Sequence, residues 1–349
     1  MNKILTPNGP VDTQSLSLGS TIVTDHGIDK ITKIVVGEGL CSKANFSDGS
    51  YAIIGNDQIF SMKRDSTKNG KYFVSTKDFP FNYFLKKYRK TPRSKSGFLG
   101  TPIWSLPSYS KLAFSHVVDN LVIDPYILGV LLGDGCFTQK TILLATADPE
   151  IVSEINIRLP NNYKVVYANG YTYRVVGLRG NKSILWSNIK DMGLRGVYGH
   201  QKFIPNDYIF NSPEVRLQIL QGLLDSDGCA DKCSAAFSSS SISLAAGVQW
   251  IVRSLGGRAS RIARRETSYK DSMGFTKVCK PGYRVRVSLP DDRLFLLDRK
   301  QTRIKGKPFN RSFIGAENLG NLPYYLISTN NQGYFFNDSF VPIPLTTKR

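Results

Sequence analysis

The chain has 349 residues, of which 41% are hydrophobic and 21% charged, a composition that excludes a disordered or fibrous protein and points to two to three domains. Lysine and arginine outnumber aspartate and glutamate by 46 to 27, and a formal net charge of +19 calls for a polyanionic partner or an anionic surface. The longest apolar run, YILGVLLG at 126–133, is far short of the ~20 residues of a bilayer span, and five cysteines in a long chain read as reduced thiols rather than a disulfide framework.

MNKILTPNG turns at Pro-Asn-Gly where a signal peptide would carry its apolar stretch, so an intracellular protein without a membrane partner is expected, in cytoplasm or nucleoid if bacterial or phage-encoded. Residues 1–62 alternate short β-type runs (TIVTD, ITKIVVG, YAIIG) with turn pairs such as Asn8-Gly9, His26-Gly27 and Asp48-Gly49, the pattern of a small all-β unit. Residues 61–95 then carry eleven Lys/Arg against Asp65 and Asp78, interleaved with Tyr72, Phe73, Phe79, Phe81, Tyr83, Phe84 and Tyr88. This predicts a basic aromatic arm or linker over 63–120, with Lys86, Lys87, Arg89 and Lys90 as candidate contacts to the polyanionic partner; the alternative is a solvated loop whose aromatics pack on the β unit.

From about 121 the pattern is mixed. A helix at 125–134 is followed by the strand-like TILLATA, the helix DPEIVSEINIRL, and KVVYA and YTYRVVGL around Asn169-Gly170. A second cycle repeats the order: the helix PEVRLQILQGLL, AAFSSS, the helix SISLAAGVQWIVRSLGG, then GRASRIARRE and YRVRVSL. The final stretch, NLPYYLISTNNQGYFFNDSFVPIP, is again β-like. The expected architecture is α+β, with a duplicated domain over 121–310 (halves about 121–210 and 211–310) inserted between β segments 1–62 and 311–349.

Both cycles open on helices that end alike, ILGVLLGDG (127–135) and LQGLLDSDG (220–228), with Asp134 and Asp227 standing 93 residues apart. Gly129 with Gly133, and Gly222 with Ser226, give each helix a narrow strip along which another backbone can approach. Pairing through these strips sets Asp134 and Asp227 side by side at two helix C-termini, each followed by a glycine able to leave the helix in a left-handed conformation. Carboxylates beside free carbonyls and the negative dipole end favour a hard divalent cation. The plainer alternative for either aspartate alone is a common Asp-Gly turn.

These motifs, with ATADPEIV after the first, KFIP (202–205) before the second and IVRSLGG (251–257) after it, resemble the two-motif LAGLIDADG homing endonucleases over about 121–310. The resemblance implies two pseudo-symmetric αββαββα halves forming a saddle over double-stranded DNA, and Mg2+ (or Mn2+) bound by Asp134 and Asp227 with the carbonyls of Gly133 and Ser226. Lys202 matches a position where intein endonucleases often carry a functional lysine, and Lys280 in KPGY looks like its equivalent in the second half. The strands would present alternating side chains to a major groove, with Arg174, Arg261, Arg264, Arg284 and Arg286 as candidates for base or phosphate contact. His26, His116 and His200 do not pair at metal spacing, and Cys229 with Cys233 lacks a second pair for zinc. Two unlike halves in one chain imply a monomer with no obligatory protein partner and a long, nearly asymmetric DNA site.

The chain ends, ILTPNGPVDTQSLSLGSTIVTD and YYLISTNNQGYFFNDSFVP, resemble the splicing (Hint) domain of inteins. The departures are a start at Met1 where splicing needs Cys or Ser, Gly55-Asn56-Asp57-Gln58 in place of Thr-x-x-His, and Pro344-Leu345 in place of a terminal His-Asn. Without these groups acyl transfer has no route. The expectation is an intein-derived, metal-dependent endodeoxyribonuclease without splicing activity. The competing readings are a nucleic-acid binding protein or RNA-splicing maturase that does not cleave, and a splicing-competent intein.

Overall fold

Runs of alternating apolar residues turn both ends of the chain into long strands, and these strands pair with each other. Lys33–Phe46 and Phe313–Ser328 are antiparallel from Phe313 opposite Phe46 to Ser328 opposite Lys33, with register shifts at 313–315 and 318–320. The structure is a computed structural model that describes residues 3–68, 71–87, 104–115, 117–139, 141–178, 184–232, 234–266, 268–290, 293–305 and 310–346. The chain divides into two compact units, Met1–His116 with Phe309–Arg349, and Val117–Pro308. Among the described residues no helix is long and apolar enough to cross a membrane.

In the β unit, Tyr51–Gly55 extends the long pair into a three-stranded sheet, and a second sheet runs Pro342–Pro344, Tyr334–Phe336, Thr21–Thr24, Gly27–Lys30. The core between them includes Ile22, Phe46, Ile54, Phe60, Phe313 and Phe335. A charged pair lies inside it. Arg311 Nε donates to Asp48 Oδ2 at 2.8 Å, and its Nη1 and Nη2 donate to the carbonyls of Phe340 (2.6 Å) and Ser339 (3.0 Å). Removing one partner of such a pair strands the other charge in the core. Arg311→Met is therefore expected to lower stability by about 3–5 kcal/mol in chemical denaturation, with Arg311→Met/Asp48→Leu regaining most of the loss; equal losses in the two variants would contradict this.

The segment expected to be a basic arm or linker is, where described, part of this unit. Ile59–Lys68 and Lys71–Pro80 form a hairpin, followed by helix α1 (Phe81–Lys87). Phe60, Met62, Phe81 and Phe84 are fully buried, Phe84 meets Trp104 edge-on at 5.0 Å, and Phe79 stacks on Tyr83 at 4.2 Å. The correction has a simple physical cause: aromatics placed on one face of a hairpin and its following helix gain more from a shared core than from water. Lys86 is exposed, whereas the Lys87 side chain, Arg89 and Lys90 lie outside the described residues.

The second unit repeats one order twice. In the first half, helix α2 (Pro125–Asp134), two short strands, helix α3 (Pro149–Arg158), the strands Tyr163–Asn169 and Thr172–Gly177, and helix α4 (Ile184–Asp191) follow one another. After the short helix α5 (Asn206–Ile209), the second half runs through helix α6 (Pro213–Asp227), the strands Gly228–Asp231 and Ser234–Ser239, helix α7 (Ile242–Ser254), further strands ending in Gly282–Ser288, and helix α8 (Asp298–Gln301). Each half thus contributes one larger antiparallel sheet, the second half adding a separate two-stranded one, and the molecule is α+β.

Cap chemistry starts all four long helices. Asp124 accepts from the amides of Tyr126 and Ile127, Asp148 from Glu150, Ser212 from Val215 and Ser241 from Leu244; Pro125, Pro149 and Pro213 stand just inside their helices. The small strips of α2 and α6 then face each other. A Cβ on Gly129 would lie 2.3 Å from the Ile219 carbonyl oxygen, and one on Gly133 would overlap the Ser226 hydroxyl. Only the absence of a side chain lets the backbones come this close.

Gly135 and Gly228 do not take the left-handed conformation expected after the aspartates. Both are extended, with φ −82° and ψ 154°, and φ −93° and ψ 145°, and lead directly into strands. Glycine is needed there for space, since a Cβ would sit 2.3 Å from the carbonyl oxygen of Leu131 or Leu224.

Candidate active site

Close packing of α2 on α6 brings the two motif ends together. The Cβ position of Gly133 on one helix is 3.4 Å from Asp227 Oδ2 on the other. Both aspartates are half-buried at helix C-termini, and burial raises both carboxyl pKa values. The neighbouring Asp134 charge raises Asp227 further, to about 6, while Lys202 and Lys300 pull both aspartates back down.

These two lysines are the structural centre of the site. Lys202, 4% exposed, donates from Nζ to three carbonyls at the end of α2: Leu131 (3.2 Å), Gly133 (3.0 Å) and Gly135 (2.7 Å). Lys300, on α8, does the same for α6, donating to Leu224 (3.2 Å), Asp225 (2.5 Å) and Gly228 (2.9 Å). Leu131 and Gly135 occupy the motif positions of Leu224 and Gly228, so the two ammonium groups cap equivalent helix ends. Burial lowers both lysine pKa values, that of Lys202 to about 8, against the opposing pull of Asp227 and Asp134 on Lys202 and chiefly of Asp225 on Lys300.

Each lysine is held by the other half or by its own motif helix. The Lys202 carbonyl accepts from Ser241 Oγ at 2.6 Å, and that hydroxyl also caps α7, so the second half fixes the lysine of the first. Asp225, buried on α6, accepts from Tyr126 Oη (3.0 Å) and from the amides of Leu296 (3.2 Å) and Leu297 (3.4 Å), locking the segment that leads into Lys300. Burial raises the Asp225 carboxyl to about 6, against these hydrogen bonds. Arg299 pairs with Asp148, the cap of α3. An open hollow of about 430 Å3 lies over this ground, lined among others by Asp134, Thr146, Asp148, Asp225, Arg299 and Lys300.

Lys280 is elsewhere. It is exposed, with Nζ 2.7 Å from His200 Nε2. The position equivalent to Lys202 belongs to Lys300, which the sequence reading missed. A usable signal was spacing: Lys202 follows Asp134 by 68 residues and Lys300 follows Asp227 by 73, whereas Lys280 follows it by only 53. Of the expected carbonyl ligands, that of Gly133 already accepts from Lys202. The Ser226 side chain, as distinct from the carbonyl expected as a ligand, donates its hydroxyl to the carbonyls of Gly222 and Leu223. Protein ammonium groups thus supply part of the positive charge that the two helix ends call for.

A divalent cation still fits the remaining donors. Among the described residues no group of three or more His, Cys, Asp or Glu side chains gathers, and the donors at the two helix ends are the carboxylates of Asp134 and Asp227, close enough for the charge of one to act on the other. Mg2+ and Mn2+ suit such a pair, because they retain waters and take further oxygens from a phosphate.

The candidate DNA-contacting arginines divide by face. Arg174 and Arg286 are exposed and alternate with buried Val175, Val285 and Val287, so these two point away from the core of their sheets, whereas Arg284 is half-buried with its Nε shielded from water. Arg261 is exposed, and Arg264, opposite Tyr283, is tied to Glu266 at 2.8 Å.

No family model matches the chain. A replicative DNA helicase DnaB of Mycobacterium intracellulare is 25% identical over 305 residues, covering 84% of this chain and 47% of the helicase; the chain spans about half the length of this curated relative. The homing endonuclease I-DmoI in complex with DNA and Ca aligns with 52% of this chain and 95% of its own at 14% identity, with a TM-score of 0.32. Its complex with DNA and Mn aligns with 49% of this chain and 91% of its own at 15% identity, with a TM-score of 0.30.

Proposed function

We propose that the chain is a metal-dependent endodeoxyribonuclease of the homing type, a monomer that breaks both strands of a long, asymmetric DNA site and does not splice protein. The observation that carries this reading is that Lys202 and Lys300 cap equivalent ends of the two abutting motif helices, where both lysines act on Asp134 and Asp227. Asp134 and Asp227 would hold Mg2+ or Mn2+, which supplies Lewis-acid stabilisation of a phosphodiester transition state and a hydroxide nucleophile. Lys202 has all three ammonium protons committed to carbonyls. It therefore serves as a fixed cation that offsets charge at the phosphate, and Lys300 does so for the other strand. Arg174 and Arg286, exposed on their strands, and the half-buried Arg284 contact the groove and phosphates, and Lys86, Lys87, Arg89 and Lys90 extend the phosphate contacts.

Splicing is disfavoured inside the β unit. Gln58, where splicing domains carry an imidazole, is buried with Oε1 accepting from the Gly55 amide at 3.3 Å, and offers no general acid or base. The test is cleavage of a randomised-site DNA library with Mg2+ and then EDTA, with the released ends sequenced; the same chain placed between two reporters is weighed for ligated product. Metal-dependent double-strand ends and no ligated mass are expected. Binding without cleavage would return the chain to the maturase or binding-protein class, and ligated reporters would restore splicing.

The second lysine can be tested directly. Lys300→Met is expected to slow cleavage by about 100-fold or more, the usual effect of removing a preorganised charge donor, while Lys280→Met should change it by less than about threefold. The reverse order would reinstate Lys280.

A further inference from the structure

The strand that carries Arg284 and Arg286 belongs to a longer ribbon. Ala263–Arg265 pairs with Gly282–Ser288, and beyond it Ser268–Lys270 pairs with Thr276–Val278 as a separate two-stranded tip, with Tyr269 opposite Lys277. One side chain organises the turn at the tip. Asp271 Oδ1 accepts from the amides of Met273 and Phe275, each at 3.0 Å, the Asp271 amide donates to the Phe275 carbonyl at 3.0 Å, and Gly274, with φ +84°, donates to the Asp271 carbonyl at 2.9 Å. Lys277 Nζ adds an ion pair to Asp271 Oδ2 at 3.2 Å.

This well-bonded turn buries none of its large apolar side chains. Met273 is 79% exposed, Phe275 63%, Val278 79% and Tyr269 54%. Four such side chains held in water on one short ribbon are a contact surface awaiting its partner. The corresponding ribbon of the first half, turning at Gly170, likewise exposes Tyr167 and Tyr171.

Charge identifies the partner. Between 258 and 280 stand seven basic residues against Glu266 and Asp271, and those two carboxylates are already paired with Arg264 and Lys277. Lys270 is exposed on the tip itself, and Arg261, Arg265 and Lys280 are exposed on the segments that lead into it. Cations for phosphates flanking apolar side chains for stacked bases are the chemistry of a wedge in a duplex, where Phe and Met enter between base steps and unstack them.

We propose that Met273 and Phe275 form an apolar wedge that enters duplex DNA beyond the second-half sheet and unstacks one base step, with Lys270 on an adjacent phosphate. This rests on the DNA-cleaving reading above. It makes the tip a specificity determinant that acts through deformability, since a flexible pyrimidine–purine step opens more cheaply than a stiff one.

The experiment uses the full chain and duplexes carrying the cleaved sequence, with 2-aminopurine moved step by step through the flank. The parent is expected to give an emission rise at one step on the second-half side, and Met273→Ser/Phe275→Ser to abolish that rise and weaken binding by 10- to 100-fold. Its dependence of log K on log salt should be unchanged, because no phosphate contact is lost; Lys270→Gln should instead reduce that slope by ~0.9. Met273→Leu/Phe275→Leu should restore the emission rise. A parent that cuts this DNA without unstacking any step overturns the wedge and leaves the nuclease reading intact; a parent that binds no duplex overturns both. Vesicles containing phosphatidylserine that bind the parent but not the serine variant, with DNA binding equal in the two, would reassign the tip to a membrane surface.

Discussion

Asp134→Asn and Asp227→Asn should each reduce double-strand cleavage by at least about 1,000-fold while duplex binding stays within a few-fold of the parent. Each change weakens a carboxylate ligand and keeps its shape, and no phosphate-contacting group is touched. The same variants should be more stable than the parent at neutral pH, and the sign follows from the Asp227 carboxyl. Its pKa in the fold is raised from an ordinary 3.8 to about 6 by burial and by Asp134. A carboxyl that holds its proton more tightly in the folded state contributes most to stability below pH ~4, loses that contribution as pH rises through about 6, and burdens the fold above it. With about two pH units between the two values, the burden is of order 3 kcal/mol. In EDTA, Asp227→Asn should therefore raise Tm at pH 7.5 and leave it unchanged near pH 4. Mg2+ should raise the Tm of the parent at pH 7.5 and that of neither variant. Full cleavage by either variant at saturating Mg2+, or a Tm that falls on substitution at pH 7.5, would remove these aspartates from the site.

The parts of the fold legible in the sequence are those encoded over short distances. Asp124-Pro125, Asp148-Pro149 and Ser212-Pro213 mark helix starts by chemistry confined to a single turn. Gly129, Gly133, Gly222 and Ser226 reveal the close helix pair because small residues four apart fall on one face. The long-range parts were not legible. Nothing within LDRKQ itself distinguishes Lys300, and only its 73-residue spacing from Asp227, near the 68 of the first half, points to it; its role arises because Asp225, 75 residues earlier, fixes the amides of Leu296 and Leu297 and so delivers the ammonium to the end of α6. The aromatics of 79–84 were ambiguous for a related reason, since composition cannot say whether Phe81 and Phe84 meet a base or, as in the fold, Trp104 and Phe313. The expected left-handed glycines failed because Asp-Gly suits two geometries, and the strand that begins at each glycine selects the extended one.

Replacing Gly222 with alanine sets local preference against packing. Alanine is the better helix former by about 1 kcal/mol, so a reading confined to α6 expects Gly222→Ala to stabilise the protein. The new methyl, however, would sit 2.2 Å from the Tyr126 carbonyl oxygen, 2.8 Å from the Val130 amide nitrogen and 3.0 Å from Gly129 Cα. All three are backbone atoms of α2, so no rotamer change relieves the overlap and the helices must separate. Overpacking in cores typically costs 1–3 kcal/mol, and here, with only backbone to move, a net loss of about 3 kcal/mol is expected in chemical denaturation. Separation also draws Asp134 away from Asp227 and strains the lysine caps of both helix ends, so cleavage should fall by at least about 100-fold even where the variant remains folded. Gly247→Ala on α7 is the control. Its methyl meets the terminal carbon of Ile204 at 2.9 Å, the movable end of a side chain, and the helix-forming gain should largely offset that contact. Equal effects at the two positions, or a Gly222→Ala variant as active as the parent, would mean that the α2–α6 contact is looser than the structure has it and that the two carboxylates do not depend on it for their spacing.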